Sequence, residues 1–204
     1  FSVSADLTTD SGLKKLLDAV ETKWGAPDIV INNAAIYPSS FLLDMKVSDW
    51  DEIMAINVRA PFVLMRNFAL QMINKGVAGN FVNISSGAAR KMRRTAVTYC
   101  MSKTALDRMT KGFALEMAEY GIRANCLEPG FASGSAVSIL NQEHIDRVLA
   151  AIPLRHEINS EDVGQAALFL ASSAAKNITG ATLSVDGGNS AGTMDVYQDK
   201  KSAL

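Results

Sequence analysis

The chain has 204 residues, 48% of them hydrophobic and 20% charged, with 21 acids against 20 bases. This size and composition fit one globular domain with a core of its own. The near-neutral balance supplies no cationic field for nucleic acid, and no uncharged apolar run reaches the ~18 residues of a membrane span.

Residues 1–7, FSVSADL, read as a strand with Asp6 at its carboxyl end. This opening has neither a basic leader nor an apolar one, and it is expected to lie inside a longer polypeptide. Leu13, Leu16, Leu17, Val20 and Trp24 follow at helical spacing, with Gly25 as the stop. The run DIVIN (28–32) has the uniformly apolar character of a strand buried on both faces. A helix capped near Ser48 runs through DWDEIMAIN and resumes after Pro61 to Ile73, with Gly76 beyond its end. FVNIS (81–85) is the next strand, residues 96–120 a helix, and IRANCL (122–127) a strand that breaks at Pro129-Gly130. Ser160 opens a helix running to about Ala171, with Glu161 and Asp162 at the positive end of its dipole. A last strand, ATLSV, leads into the turn Asp186-Gly187-Gly188. Strands alternating with helices indicate a parallel sheet covered on both faces. Residues 1–190 read as one domain and 191–204 as a polar tail.

The stretch TYCMSKTAL places Tyr99 and Lys103 at i and i+4, on one helix face. A free phenol, with a pKa of ~10, is a poor proton shuttle near neutrality. A neighbouring ammonium favours the phenolate and brings the group into range for acid–base work. A solvated helix face explains the pair equally well, so its company matters. Ser86 ends a strand at the carboxyl edge, where open α/β sheets hold their ligands, although alone it fits an ordinary turn. Pro61 removes the N–H that would pair with the carbonyl four residues earlier, that of Asn57. That carbonyl is then free to hold a water, and the helix is expected to kink there. In INNAAI (31–36), Asn33, Ala34 and Ala35 allow a flat or sugar-like ligand to approach the backbone closely.

The ordered set Asp6, Asn32-Asn33-Ala34-Ala35, Asn57, Ser86, Tyr99-x-x-x-Lys103, Pro129-Gly130 and Val185-Asp186-Gly187-Gly188 resembles the short-chain dehydrogenase/reductase family. The resemblance implies a Rossmann-like, doubly wound parallel sheet in three α/β/α layers. It implies an oxidoreductase that exchanges a hydride between NAD or NADP and a small ketone or alcohol. Tyr99 would be the acid/base, Ser86 would position the reacting oxygen, and Asn57 would hold a relay water. Lys103 would lower the tyrosine pKa and bind the nicotinamide ribose. Asp6 and Leu7 would touch the adenine, Asn33 to Ala35 the cofactor ribose, and Pro129 and Gly130 the nicotinamide. The family pattern also implies pairing into a homodimer or homotetramer through the helices at 62–73 and 96–120.

The sequence departs from that pattern in three places. The glycine-rich strand–turn–helix that grips the pyrophosphate is not found in these residues; KGVAG (75–79) follows a helix and precedes a strand, the reverse order. The expectation is therefore an N-terminally truncated fold whose FSVSA and DIVIN strands expose unpaired edges. The usual Asn-Asn-Ala-Gly has become Asn-Asn-Ala-Ala, and Ala132 and Gly134 stand where a branched aliphatic residue and Thr are common.

Two other classes compete. A serine hydrolase needs a nucleophile elbow and a partnered histidine. Ser85 and Ser86 lack the preceding glycine, and His144 and His156 fall in the 131–159 segment expected to form a substrate lid. A non-catalytic scaffold, unable to bind cofactor alone, accommodates the absent glycine-rich turn but not the complete Asn57–Ser86–Tyr99–Lys103 set. Cys100 and Cys126 follow no disulfide or metal-ligand spacing, so a cytoplasmic location without a metal, nucleic-acid or membrane partner is expected.

Overall fold

The computed structural model describes residues 1–134 and 140–194. In chain order these form α1 (Asp10–Trp24), β1 (Ile29–Asn32), α2 (Val47–Met54), α3 (Ala60–Lys75), β2 (Asn80–Ile84), α4 (Val97–Met117), β3 (Arg123–Pro129), α5 (Gln142–Ala151), α6 (Ser160–Ala171) and β4 (Thr182–Val185). The strands make one parallel sheet in the order β1-β2-β3-β4.

Side chains alternate across a strand, and the register sorts them into two cores. Phe81 and Ala124 face α1, α3 and α4, where Leu13, Leu64, Met65, Phe68, Met72 and Ala114 close the larger core. Val82 and Leu127 face α6, packing on Ala167 and Leu170. Helices therefore lie on both sides of the sheet, in three layers. The continuous helical stretch Val47–Lys75 is long and apolar enough to resemble a membrane span, but 44% of that apolar window is buried within the protein, including Leu64, Met65 and Phe68.

Four expectations change. Residues 1–6 form no strand: no described strand lies beside them to complete a ladder. They are held to α1 instead, through the Asp6 carbonyl, which accepts from Thr9 N, and through Lys15 Nζ, which donates to the Ser4 carbonyl. Gly12 permits this, because a Cβ there would stand 1.9 Å from the Asp6 carbonyl oxygen. β1 is not buried on both faces. Val30 joins the larger core, but Ile29 and Ile31, on the α6 side, are about half exposed (48% and 49%) because no described helix covers them.

The caps also move by a residue or two. α2 starts after Lys46 without a side-chain cap, and α6 is capped by Asn159 in a capping box with Asp162. The Pro61 kink takes the form of a π-helical turn at Ala55–Arg59 between α2 and α3. The sequence reading expected a missing hydrogen bond and a kink; at that place the chain widens its helix by a residue. Tail residues 195–204 and lid residues 135–139 lie outside the described residues.

Candidate active site

The site forms at the carboxyl ends of β1, β2 and β3. Ser86 follows β2 by two residues and caps a short 3-10 turn, its Oγ accepting from Ala88 N at 3.1 Å. The next loop is tied to the sheet by an ion pair, from a half-exposed Arg90 to a buried Glu128, that the sequence did not signal. Arg90 lies 2.8 Å from the Glu128 carboxylate, and Ser184 Oγ donates to the same carboxylate at 3.0 Å. Glu128 is almost completely buried, so loss of Arg90 would strand its charge in the interior.

Tyr99 and Lys103 lie in the first two turns of α4, on one face, with Lys103 Nζ 5.8 Å from the Tyr99 ring centroid. The ring rests on Ala88, Ala96 and Cys100, and the Tyr37 ring packs against it at 4.9 Å. Lys103 reaches back to the sheet, its Nζ donating to the Ile84 carbonyl at 2.8 Å. One ammonium proton is thereby fixed, leaving the others for a ligand hydroxyl.

Burial dominates the electrostatics of the pair. Burial pushes the Tyr99 phenol up, and its hydrogen bond with Ser86 and the charge of Arg93 only partly offset this. The Lys103 ammonium is itself engaged at the Ile84 carbonyl. Burial lowers the Lys103 ammonium itself to about 8.

Asn57 sits in the π turn and is buried, with both ends of its amide engaged. Oδ1 accepts from Ile36 N at 3.0 Å, while Nδ2 donates to the Ile36 carbonyl at 2.9 Å and to Ser102 Oγ at 3.0 Å. Ser102 Oγ in turn donates to the Tyr99 carbonyl at 2.7 Å. Asn57 and Ser102 thus tie the loop after β1 to the helix carrying Tyr99, and any water held by Asn57 falls to its main-chain carbonyl. Ser102 was missed; its signal was only its place between Tyr99 and Lys103.

Asn33, Ala34 and Ala35 are exposed just beyond β1. Behind them Asn32 Nδ2 donates to Asn83 Oδ1 at 2.7 Å and Asn83 Nδ2 to Thr110 Oγ1 at 2.7 Å, fixing the strand ends. Pro129 ends β3, and Gly130 N donates to the Val185 carbonyl at 2.8 Å. A Cβ at Gly130 would stand 2.6 Å from Asp186 Cα, so glycine is required for that approach. Asp6 and Leu7 do not join the Tyr99 group. Asp6 is exposed and accepts from Thr8, and Leu7 packs against the α1–α3 core.

A family model described as enoyl-(acyl carrier protein) reductase matches residues 1–190. The (3R)-3-hydroxyacyl-CoA dehydrogenase of Rattus norvegicus is 33% identical over 185 residues, covering 90% of this chain and 71% of that protein. Glucose 1-dehydrogenase 2 of Bacillus subtilis is 34% identical over 189 residues, covering 92% and 73%. This chain belongs to the short-chain dehydrogenase/reductase family. Its members are oxidoreductases with an NAD(P)-binding Rossmann fold, and the solved structures agree. The fold superposes on 4-hydroxyisoleucine dehydrogenase complexed with NADH with a TM-score of 0.88 at 27% identity, covering 93% of this chain and 79% of that one. The gluconate 5-dehydrogenase of Burkholderia cenocepacia, in complex with NADP and tartrate, gives 0.85 at 31% identity, covering 92% and 74%.

The residues present fit one end of such a cofactor. A buried ammonium with protons to spare and an exposed, small-residue Asn33–Ala35 segment suit a ribose and a flat ring. No glycine-rich turn between a strand and a helix occurs among the described residues to take a pyrophosphate.

Proposed function

We propose that this chain carries the catalytic part of an NAD- or NADP-dependent oxidoreductase that interconverts a small alcohol and its carbonyl compound. The observation that supports it most is the convergence of Ser86, Tyr99 and Lys103 beyond β2, with Asn57 anchored to the helix that carries the last two. Lys103, with Asn33 to Ala35, Pro129 and Gly130, would hold the nicotinamide and its ribose; Asp6 and Leu7 remain candidates for the adenine end. The bound nicotinamide supplies or takes the hydride.

The protein's own residues handle the oxygen and its proton. Ser86 Oγ hydrogen-bonds the reacting oxygen as charge develops there. Tyr99 gives its phenolic proton to that oxygen in reduction and takes it back in oxidation. A phenol kept protonated by burial is a ready donor for the reductive direction. For oxidation it must ionise, and the Lys103 ammonium brought toward it by a ribose contact favours that form. A water on the Asn57 main-chain carbonyl would return the proton to solvent.

We infer that pyrophosphate binding requires a further strand–glycine turn–helix on the free edge of β1, where Ile29 and Ile31 remain half exposed. The scaffold reading draws on the same open edge. Titration with NADH and NADPH, followed by turnover of an alcohol panel, separates the two: binding and turnover support the enzyme, and neither cofactor binding supports the scaffold. We also propose a cytoplasmic homodimer or homotetramer without nucleic-acid or membrane partners. Pairing would run through α3 and α4, whose Phe62, Met101 and Leu115 are exposed; a monomer by light scattering overturns it.

A further inference from the structure

The loop between Ser86 and Tyr99 holds four cations in five residues, Arg90, Lys91, Arg93 and Arg94, in a chain whose net charge is −1. Two of them are used structurally. Arg90 pairs with Glu128, and Lys91 Nζ donates to the Asn189 carbonyl at 3.3 Å. Arg93 and Arg94 remain exposed, and neither has an acidic partner among the described residues.

The backbone around them is held in place. Thr95 follows at φ 65°, a left-handed conformation that a β-branched residue rarely adopts. It is held there by the loop after β1: the Thr95 carbonyl accepts from Ser40 N at 2.8 Å, and its Oγ1 accepts from Ser39 Oγ at 2.8 Å. Arg94 lies over the Phe41 ring, 5.7 Å from its centroid. The Arg93 carbonyl accepts from Ala96 N at 3.2 Å, a tight turn that leads directly into the first turn of α4 and Tyr99. Strain held by external hydrogen bonds beside reactive groups fits positioning for a ligand. The Arg93 charge also reaches the Tyr99 phenol, which it favours in the ionised form.

We propose that the substrate carries an anionic group, a carboxylate or a phosphate, seated by Arg93 with Arg94 at the rim of the Tyr99 site. This rests on Tyr99 being the reacting acid/base. A guanidinium offers a planar pair of donors that matches either anion, and two of them at an otherwise near-neutral surface would gather such substrates from solution.

The test uses the cofactor-loaded enzyme and matched pairs: hydroxy acids with their methyl esters, and polyol phosphates with the free polyols. In at least one series the anionic member should be preferred by ~10-fold or more in kcat/KM, and Arg93→Gln should remove that preference by raising KM. The series that responds tells carboxylate from phosphate. Lys111→Gln, which removes an exposed charge further along α4, should leave the preference in place. Equal or better use of the neutral members, or a preference that survives Arg93→Gln, overturns the proposal. If no pair is turned over, calorimetry with the anionic members decides. Binding weakened ~10-fold by Arg93→Gln upholds the proposal, and absent or unchanged binding overturns it. Turnover that persists in Tyr99→Phe would instead remove the acid/base assignment, leaving the anion site to stand on the binding data.

Discussion

The centre of the sheet and its β1 flank are built on different terms. Around β2 and β3 every side is closed: Phe81, Val82, Ala124 and Leu127 are buried between helices, and the polar groups of Asn83, Thr110 and Glu128 find partners. At β1 one face is packed and the other open, and residues 1–6 lean on α1 rather than on the sheet. The groups proposed to handle the proton sit on the closed part, where packing and hydrogen bonds set their positions. Of the groups proposed to hold a cofactor, Asn33 to Ala35 follow the open β1, while Lys103, Pro129 and Gly130 belong to the closed part. The difference teaches that side-chain positions around β2 and β3 are set by the protein's own packing, while those of Ile29 and Ile31 on β1 are left half in solvent.

The largest effect expected on this comparison comes from the closed part. Tyr99→Phe removes one hydroxyl and should lower kcat by ~10²–10⁴-fold with little change in melting temperature. Steady-state rates and a thermal melt check it together, and rates within a few-fold of wild type would break the assignment. Leu127→Ala, in the sealed centre, should cost ~2–5 kcal/mol in urea unfolding, because the surrounding sheet and α6 cannot collapse into the cavity.

Lys103→Met is expected to impair turnover and to change the pH dependence of stability. The ammonium's folded value of about 8 lies below its ordinary 10.5, so the charged form disfavours the fold. Wild-type stability should therefore gain as pH rises from 8 towards 10.5, where only the unfolded chain keeps the proton, by ~2–3 kcal/mol. Burial raises Tyr99 and Cys126, which act with the opposite sign at high pH in both proteins. The difference between wild type and variant therefore isolates the lysine, and parallel curves would refute the buried ammonium. Activity restored simply by raising the pH would assign Lys103 mainly to the ionisation of Tyr99.

Ser102→Ala cuts the link from Asn57 to the Tyr99 carbonyl and should cost ~1–3 kcal/mol, with a loss of kcat as α4 shifts against the loop after β1. The smallest effect belongs to the open flank. Ile31→Ala should change stability by less than ~1 kcal/mol, since its side chain is half in solvent already. A cost near that of Leu127→Ala would erase the distinction between the two regions.

Much of this was legible in the residues. Alternating apolar strands and amphipathic helices placed β2, β3, β4 and α6 within a residue or two, and α4 to within three at its end, because hydrophobic period reports burial directly. The four-residue spacing of Tyr99 and Lys103 put them on one face because helical geometry requires it. The FSVSADL segment looked like a strand and is not one, since a strand exists only through a neighbour's hydrogen bonds. The Pro61 effect was placed correctly, but its π-helical form was not foreseen, nor was Ser102 as the residue holding Asn57.

By itself the sequence determined the family, the alternation of elements and which residues could handle a proton. These are local patterns, written in spacing and side-chain type. The tertiary structure decided what their surroundings make of them. It directs the Lys103 ammonium to the Ile84 carbonyl, raises the Tyr99 phenol by burial and leaves Arg93 without an acidic partner among the described residues. Burial and charge at a site are sums over groups remote in the chain, and only the folded arrangement brings those groups within reach of one another.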